Sequence, residues 1–182
     1  RPRGGGPDRT VRWAHADHVA RSVHEVDYNR LLRDGIQAIL YDLENTLCRW
    51  QEWELDERTR ALLHRLGEQG VALAVLTNAA LPPGHPLVRE LEGGGVVVVT
   101  RARKPLRRGF QTALCRLGVD PGRAAMVGDQ VLTDILGGKR AGLVTVLVDP
   151  LGPDESRLTK INRRLERLLG RRSPAGGASA AP

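Results

Sequence analysis

The sequence predicts an α/β protein, a parallel sheet covered by helices on both faces. Three observations predict it. Apolar runs alternate with segments of helical periodicity along most of the 182-residue chain. The runs are continuous rather than alternating, as strands buried on both faces must be. Each run also ends on polar residues able to carry chemistry, where sheets of this kind keep their sites.

The elements follow in order. Residues 1–10 (RPRGGGPDRT) read as a flexible lead-in, and the chain starts at Arg1 as a trimmed sequence would. The folded domain is expected over residues 11–172, with a disordered tail at 173–182 (SPAGGASAAP). IQAILYD at 36–42 is a strand ending on Asp42. DERTRALLHRLGEQG follows as a helix, with Ala61, Leu62, Leu63 and Leu66 on one face and Gly70 as its stop. VALAVLT at 71–77 is the second strand, LVRELEGGG a short helix and VVVV at 96–99 the third strand. LRRGFQTALCRLG at 106–118 is helical, with Gly118 at its end. AAMVGD at 124–129 is the fourth strand, VLTDILGGKRAG at 131–142 a helix and LVTVLVD at 143–149 the fifth strand. A basic amphipathic helix, ESRLTKINRRLERLL at 155–169, closes the pattern.

Composition narrows the class. The chain is 41% hydrophobic but only 3% aromatic, so its core must be aliphatic. A net charge of +7 suits an anionic partner, although an arginine-rich composition alone gives the same balance. Cys48 and Cys115 are far apart and form no CxxC pair, which argues against a zinc site or a disulfide framework and fits a reducing, cytoplasmic setting. No apolar run approaches a membrane span.

The strand ends read DLENT (42–46), TN (77–78), RKP (103–105) and GDQVLTD (128–134). Four such segments in order, each at a strand end, resemble the signature of the haloacid dehalogenase superfamily. Within its subclass IIIA they resemble the YqeG group of capless phosphatases. That group shows DLDNTL, Thr/Ser-Asn, Lys-Pro and GDQ-x-x-TD-x-x-GG-x-R-x-G, against GDQVLTDILGGKRAG here. The likeness runs from about Val19 to about Leu169. It implies a Rossmann-like sheet without a cap domain, and a Mg2+-dependent phosphatase.

The roles the resemblance implies have physical reasons. Asp42 is the nucleophile, forming an aspartyl-phosphate. A carboxylate repels a phosphate dianion, so a cation must lie between them. Asp42, Asp129, the main-chain carbonyl of Glu44 and, in support, Asp134 are the expected ligands, hard oxygens that suit Mg2+. Thr77 and Asn78 hold phosphoryl oxygens, and Lys104 neutralises developing charge and keeps Asp42 ionised. Taken singly, each has a plainer reading. Thr77–Asn78 suits a turn or N-cap, Asp129 a cap for the helix from Val131, Asp134 a solvated helix position and Lys104 one more surface base.

One residue departs from the family pattern. Its second acid, Asp in the family, is here Glu44, the acid that protonates the leaving oxygen and then activates water. Positions i and i+2 of an extended segment face the same way, so Asp42 and Glu44 can share the site. The longer arm puts hydrogen-bond reach in question without disturbing the metal. The stretches from Thr46 to Thr77 and from Thr77 to Lys104 are already filled by the assigned elements, leaving no room for a cap.

An open site admits a lipid headgroup, another phosphomonoester, a protein or a nucleic acid. The resemblance points to phosphatidylglycerophosphate, because related mitochondrial enzymes act on it. Peripheral contact with an anionic membrane is compatible with Arg157, Lys160, Arg163, Arg164, Arg167, Arg171 and Arg172 in and after the last helix. The alternative is a weakly catalytic or non-catalytic protein that docks RNA or a protein partner through its basic surface. Trp50 and Trp53 read as a substrate flap or as a satellite cluster over the sheet. His15 and His18 have helical spacing but no third ligand, and His85 sits in a loop near the site mouth. Oligomeric state is not encoded in any feature.

Overall fold

A computed structural model describes residues 15–152. The expected helix at 155–169 and both expected terminal segments, 1–10 and 173–182, therefore lie outside the described residues. The elements are β1 (His18–Ala20), α1 (Tyr28–Arg33), β2 (Ala38–Tyr41), α2 (Glu57–Glu68), β3 (Ala72–Leu76), α3 (Pro86–Gly93), β4 (Val97–Val99), α4 (Arg107–Leu117), β5 (Ala124–Gly128), α5 (Leu136–Ala141) and β6 (Val144–Val148). The sheet has the order β1-β6-β5-β2-β3-β4, and every pairing is parallel.

The continuous apolar runs are explained by the pleat, which sends alternate residues to opposite faces. Ile39 and Tyr41 of β2 join Leu73, Val75, Ala125 and Val127 in one core with Leu62, Leu66, Leu87 and Leu91 of α2 and α3. Ala38 and Leu40 join Ala74, Leu76, Ala124 and Met126 in a second core with Phe110, Ala113 and Leu114 of α4. The second face is built largely of small residues, so the helices can approach closely. A Cβ on Gly138 of α5 would collide with Thr145 and Met126, and one on Gly109 of α4 with Ala102.

Helix ends follow local chemistry. Asp56 caps α2 by accepting from the Thr59 N–H at 2.6 Å, and Gly118 ends α4 in the left-handed region at φ 67°. Three features depart from the expected elements. β1 and α1 precede the first expected strand, and His18 begins β1, so the helical spacing of His15 and His18 is not realised. The expected helix at 131–142 opens with a π-helical turn over Val131–Ile135 before α5 begins.

Strand order reverses beside β2, which lies between β5 and β3. That reversal opens a crevice at the carboxyl ends of the strands, the place where open parallel sheets bind ligands. Loops, α2 and α3 fill the chain between the first three strand ends, so no cap domain is present among the described residues. No described helix is long and apolar enough to cross a membrane.

Candidate active site

Asp42 follows β2 directly, and its N–H donates to the Val127 carbonyl at 2.9 Å, so the strand continues to the edge of the crevice. Asn45 then takes φ 61°, a left-handed conformation that asparagine tolerates better than most residues. The chain turns back there, and the N–H groups of Leu47 and Cys48 donate to the Leu43 carbonyl. The turn brings the Thr46 hydroxyl to Asp129, donating to Oδ1 at 3.4 Å. Leu43 is buried in the core while Asp42 and Glu44 flank it, as an extended segment requires. Glu44 is half-buried and forms a bridge with Cys48.

Lys104 comes from the stretch after β4, and its side chain is only 2% exposed. Its Nζ donates to Asp42 Oδ1 at 2.6 Å and to Asp134 Oδ1 at 2.8 Å. Burial opposes its charge, but the two carboxylates outweigh burial and hold the ammonium above its usual range. The main chain under this lysine is held by Asn78. Asn78 Oδ1 accepts from the Lys104 N–H at 2.7 Å, and Nδ2 donates to the Lys104 carbonyl at 3.1 Å. Thr77 is buried, and its Oγ1 accepts from the Ala79 N–H at 3.0 Å. The main-chain N–H groups of Leu43 and Asn78 find no acceptor among the described residues.

Asp129 and Asp134 come from the end of β5 and the π-helical turn. Asp134 is fully buried and accepts from the Gln130 N–H at 3.1 Å. Gly128 makes this possible, because a Cβ there would occupy the space of the Asp134 carboxylate. Asp129 does not cap the following turn, whose N-cap is Gln130.

The carboxylates of Asp42, Asp129 and Asp134 offer oxygens that all lie within 4.8 Å of one another. Three acids then share one ammonium. Burial and the neighbouring carboxylates push Asp129 up to about 8, and burial pushes Asp134 up to about 6 against the attraction of Lys104. Three buried or half-buried carboxylates beside a single ammonium carry excess negative charge that a cation would neutralise. Their hard oxygen donors fit a divalent metal ion.

The structure thus brings together Asp42, Lys104, Asp129 and Asp134, with Thr77 and Asn78 on the next strand end. Trp50 and Trp53 separate. Trp53 packs against the core, with its ring edge-on to His85 at 6.2 Å between centroids, whereas Trp50 is 44% exposed. His85 serves as the N-cap of α3, its Nδ1 accepting from the Leu87 N–H at 3.2 Å. Sequence reasoning missed the Asn45 turn, the Leu43 N–H that has no acceptor among the described residues, the missing side chain at Gly128 and the grip of Asn78 on Lys104. Asn and Gly at turn positions were the available signal for two of these. The Asn78 grip joins positions far apart in the chain and leaves no local signal.

A parallel α/β sheet with a metal-capable acidic cluster and a buried lysine at its switch point defines a hydrolase built on carboxylates. Comparison with known proteins agrees: the haloacid dehalogenase-like hydrolase family matches residues 9–142, and the chain belongs to that family. It is 27% identical over 153 residues to the probable phosphatase YqeG of Bacillus subtilis (strain 168), covering 84% of this chain and 87% of that protein. It is 32% identical over 139 residues to the chloroplastic phosphatidylglycerophosphate phosphatase 1 of Chlamydomonas reinhardtii. That match covers 73% of this chain but only 52% of the algal protein. A crystal structure of an uncharacterized protein from Corynebacterium glutamicum matches with a TM-score of 0.53 at 24% identity, covering 78% of this chain and 100% of that one. At that identity the likeness shows the fold alone.

Proposed function

We propose that this chain is a Mg2+-dependent phosphatase of the YqeG group that hydrolyses a phosphomonoester through an aspartyl-phosphate on Asp42. The observation that carries the reading is the Lys104 ammonium held between Asp42 and Asp134, with Asp129 beside them.

Each residue has a part. The Asp42 carboxylate attacks phosphorus as the bond to the leaving oxygen breaks. Glu44 gives its proton to that oxygen, then takes a proton from the water that attacks the aspartyl-phosphate. Inorganic phosphate leaves and Asp42 is restored. Lys104 pairs with the Asp42 carboxylate before attack and faces the phosphoryl charge during it. The Leu43 and Asn78 N–H groups and the Thr77 hydroxyl are the donors available to phosphoryl oxygens. Asp42, Asp129 and the Glu44 carbonyl, supported by Asp134, would hold the metal. When bound, it screens the repulsion between carboxylate and phosphate.

For substrate we propose phosphatidylglycerophosphate. The names carried by the algal relative and by a related plant protein support it, as does a site without a cap. A phosphate-release assay with Mg2+ tests both levels. Turnover of a small aryl phosphate, abolished by Asp42→Asn, is expected, with faster turnover of the lipid phosphate than of phosphoserine. Glu44 in place of the family's aspartate motivates a second reading, a protein that binds without turnover. Absence of phosphate release from every ester, with RNA bound, would favour it.

A further inference from the structure

Residues 101–108 break several local rules at once. Arg101 and Arg103 adopt φ 49° and 55°, in a region that residues other than glycine enter only at a cost. The stretch alternates, with Ala102 and Lys104 buried and Arg101 and Arg103 exposed. So the segment that sends Lys104 into the cluster sends the two alternate residues, both arginines, outward to solvent. The conformation is pinned rather than loose. The Arg101 N–H donates to Ala79, the Ala102 N–H to Thr77 and the Leu106 N–H to Arg103, each at 2.9 Å, and Asn78 grips Lys104.

Helix α4 then starts badly by every local measure. Leu106 stands at its N-cap, where a polar oxygen is favoured, and makes no side-chain cap. Its first turn holds no acid but carries Arg107 and Arg108, against the helix dipole. Leu106 is 54% exposed, one of three large apolar residues so placed among the described residues. Arg101, Arg103, Arg107 and Arg108 are exposed and make no ion pair among the described residues. No acid occurs between Glu92 and Asp120 to offset them. Sequences keep such local violations where function requires them.

We propose that this rim, four exposed arginines around exposed Leu106, docks on the surface of an anionic phospholipid bilayer and faces the open site toward headgroup phosphates. Basic groups meet the negative lipid surface while the aliphatic side chain enters the headgroup boundary. Residues 93–109 hold no aromatic ring on which a base could stack, so single-stranded nucleic acid fits this rim less well. What the site does at the surface rests on the phosphatase reading, whereas the docking rests on the rim alone.

The test uses variants that should fold at least as well as the parent. Leu106→Ser supplies a good N-cap, and Arg107→Glu with Arg108→Glu suits the dipole, so thermal stability should hold or rise. Co-sedimentation of the full chain is measured with vesicles of phosphatidylcholine alone and of phosphatidylcholine with phosphatidylglycerol. The parent should bind the anionic vesicles and not the neutral ones. At about 1 kcal/mol per basic residue near such a surface, loss of two arginines alone weakens binding about thirtyfold, so the double glutamate variant should bind at least that much more weakly, and Leu106→Ser should also weaken binding. Turnover of a small soluble aryl phosphate should stay the same in both. Parent and variants binding anionic vesicles equally would overturn the proposal. So would loss of polyuridine binding in the variants with vesicle binding intact. If no ester is turned over yet vesicle binding depends on Arg107 and Arg108, the docking stands and the phosphatase reading falls.

Discussion

Asn78 commits both ends of its amide to the main chain of Lys104, which fixes the lysine that bridges Asp42 and Asp134. On the proposed reading its main-chain N–H, not its side chain, would be the group that meets a phosphoryl oxygen. Asn78→Ala should lower kcat by up to about a hundredfold, because a small misplacement of a charged group costs that much. KM for a small aryl phosphate should change little. A raised KM with kcat intact would instead make the side chain a phosphate ligand. Glu44 is the second residue to probe. Glu44→Gln should cost about 10²–10⁴ in kcat, the usual worth of a general acid–base group. Glu44→Asp should preserve or raise kcat, and a large fall would show that the longer arm is not a handicap. At this scale the acids and the lysine were legible in sequence, because each sits in a short motif at a strand end. Their support was not, since Asn78 and Lys104, or Thr46 and Asp129, meet only through the fold.

Among the elements, the continuous apolar runs 36–42, 71–77, 96–99, 124–129 and 143–149 each contain a strand, trimmed by a residue or two where the ladder ends. β1 escaped notice because three residues carry no readable period, and α1 because six residues give barely two turns. The π-helical turn escaped because one extra residue per turn hardly alters the apolar pattern of VLTDIL. Yet that turn, of a kind found often at functional sites, delivers Asp134 to Lys104. It depends on Gly128. Gly128→Ala should destabilise by about 1–3 kcal/mol through overpacking and weaken Mg2+ binding by displacing the Asp134 carboxylate. Gly67→Ala is the control. It lies within α2, a Cβ there meets nothing within 4 Å, and alanine should stabilise by about 1 kcal/mol. Thermal melts of both, with and without Mg2+, check the pair, and an unchanged Mg2+ response in Gly128→Ala would refute the link to Asp134.

The whole molecule couples this cluster to its stability. A carboxyl with a raised pKa binds more protons folded than unfolded, so it destabilises the fold as pH climbs from the unfolded value to the folded one. For Asp129 that window runs from 3.8 to about 8, and for Asp134 from 3.8 to about 6. Their contribution to metal-free stability is therefore complete below about pH 4, falls through pH 6 and levels off above pH 8. Lys104 works elsewhere: its raised pKa gives stability that is complete below the unfolded value of 10.5 and is lost only above it. Metal reverses the acid trend, because its ligands must shed their protons to bind. Between pH 6 and pH 8 the removal of one proton from a group of pKa about 8 opposes binding less and less, and apparent Mg2+ affinity should rise about fiftyfold. The rise in Tm on adding Mg2+ should accordingly be larger at pH 8 than at pH 6. Calorimetric titration at pH 7 in two buffers of different ionisation enthalpy should record the release of about one proton per metal bound. Asp129→Asn should flatten the metal-free pH dependence and remove most of the proton release. If the Tm gain from Mg2+ is the same at pH 6 and pH 8, the three carboxylates do not compete for a proton and the cation does not replace one.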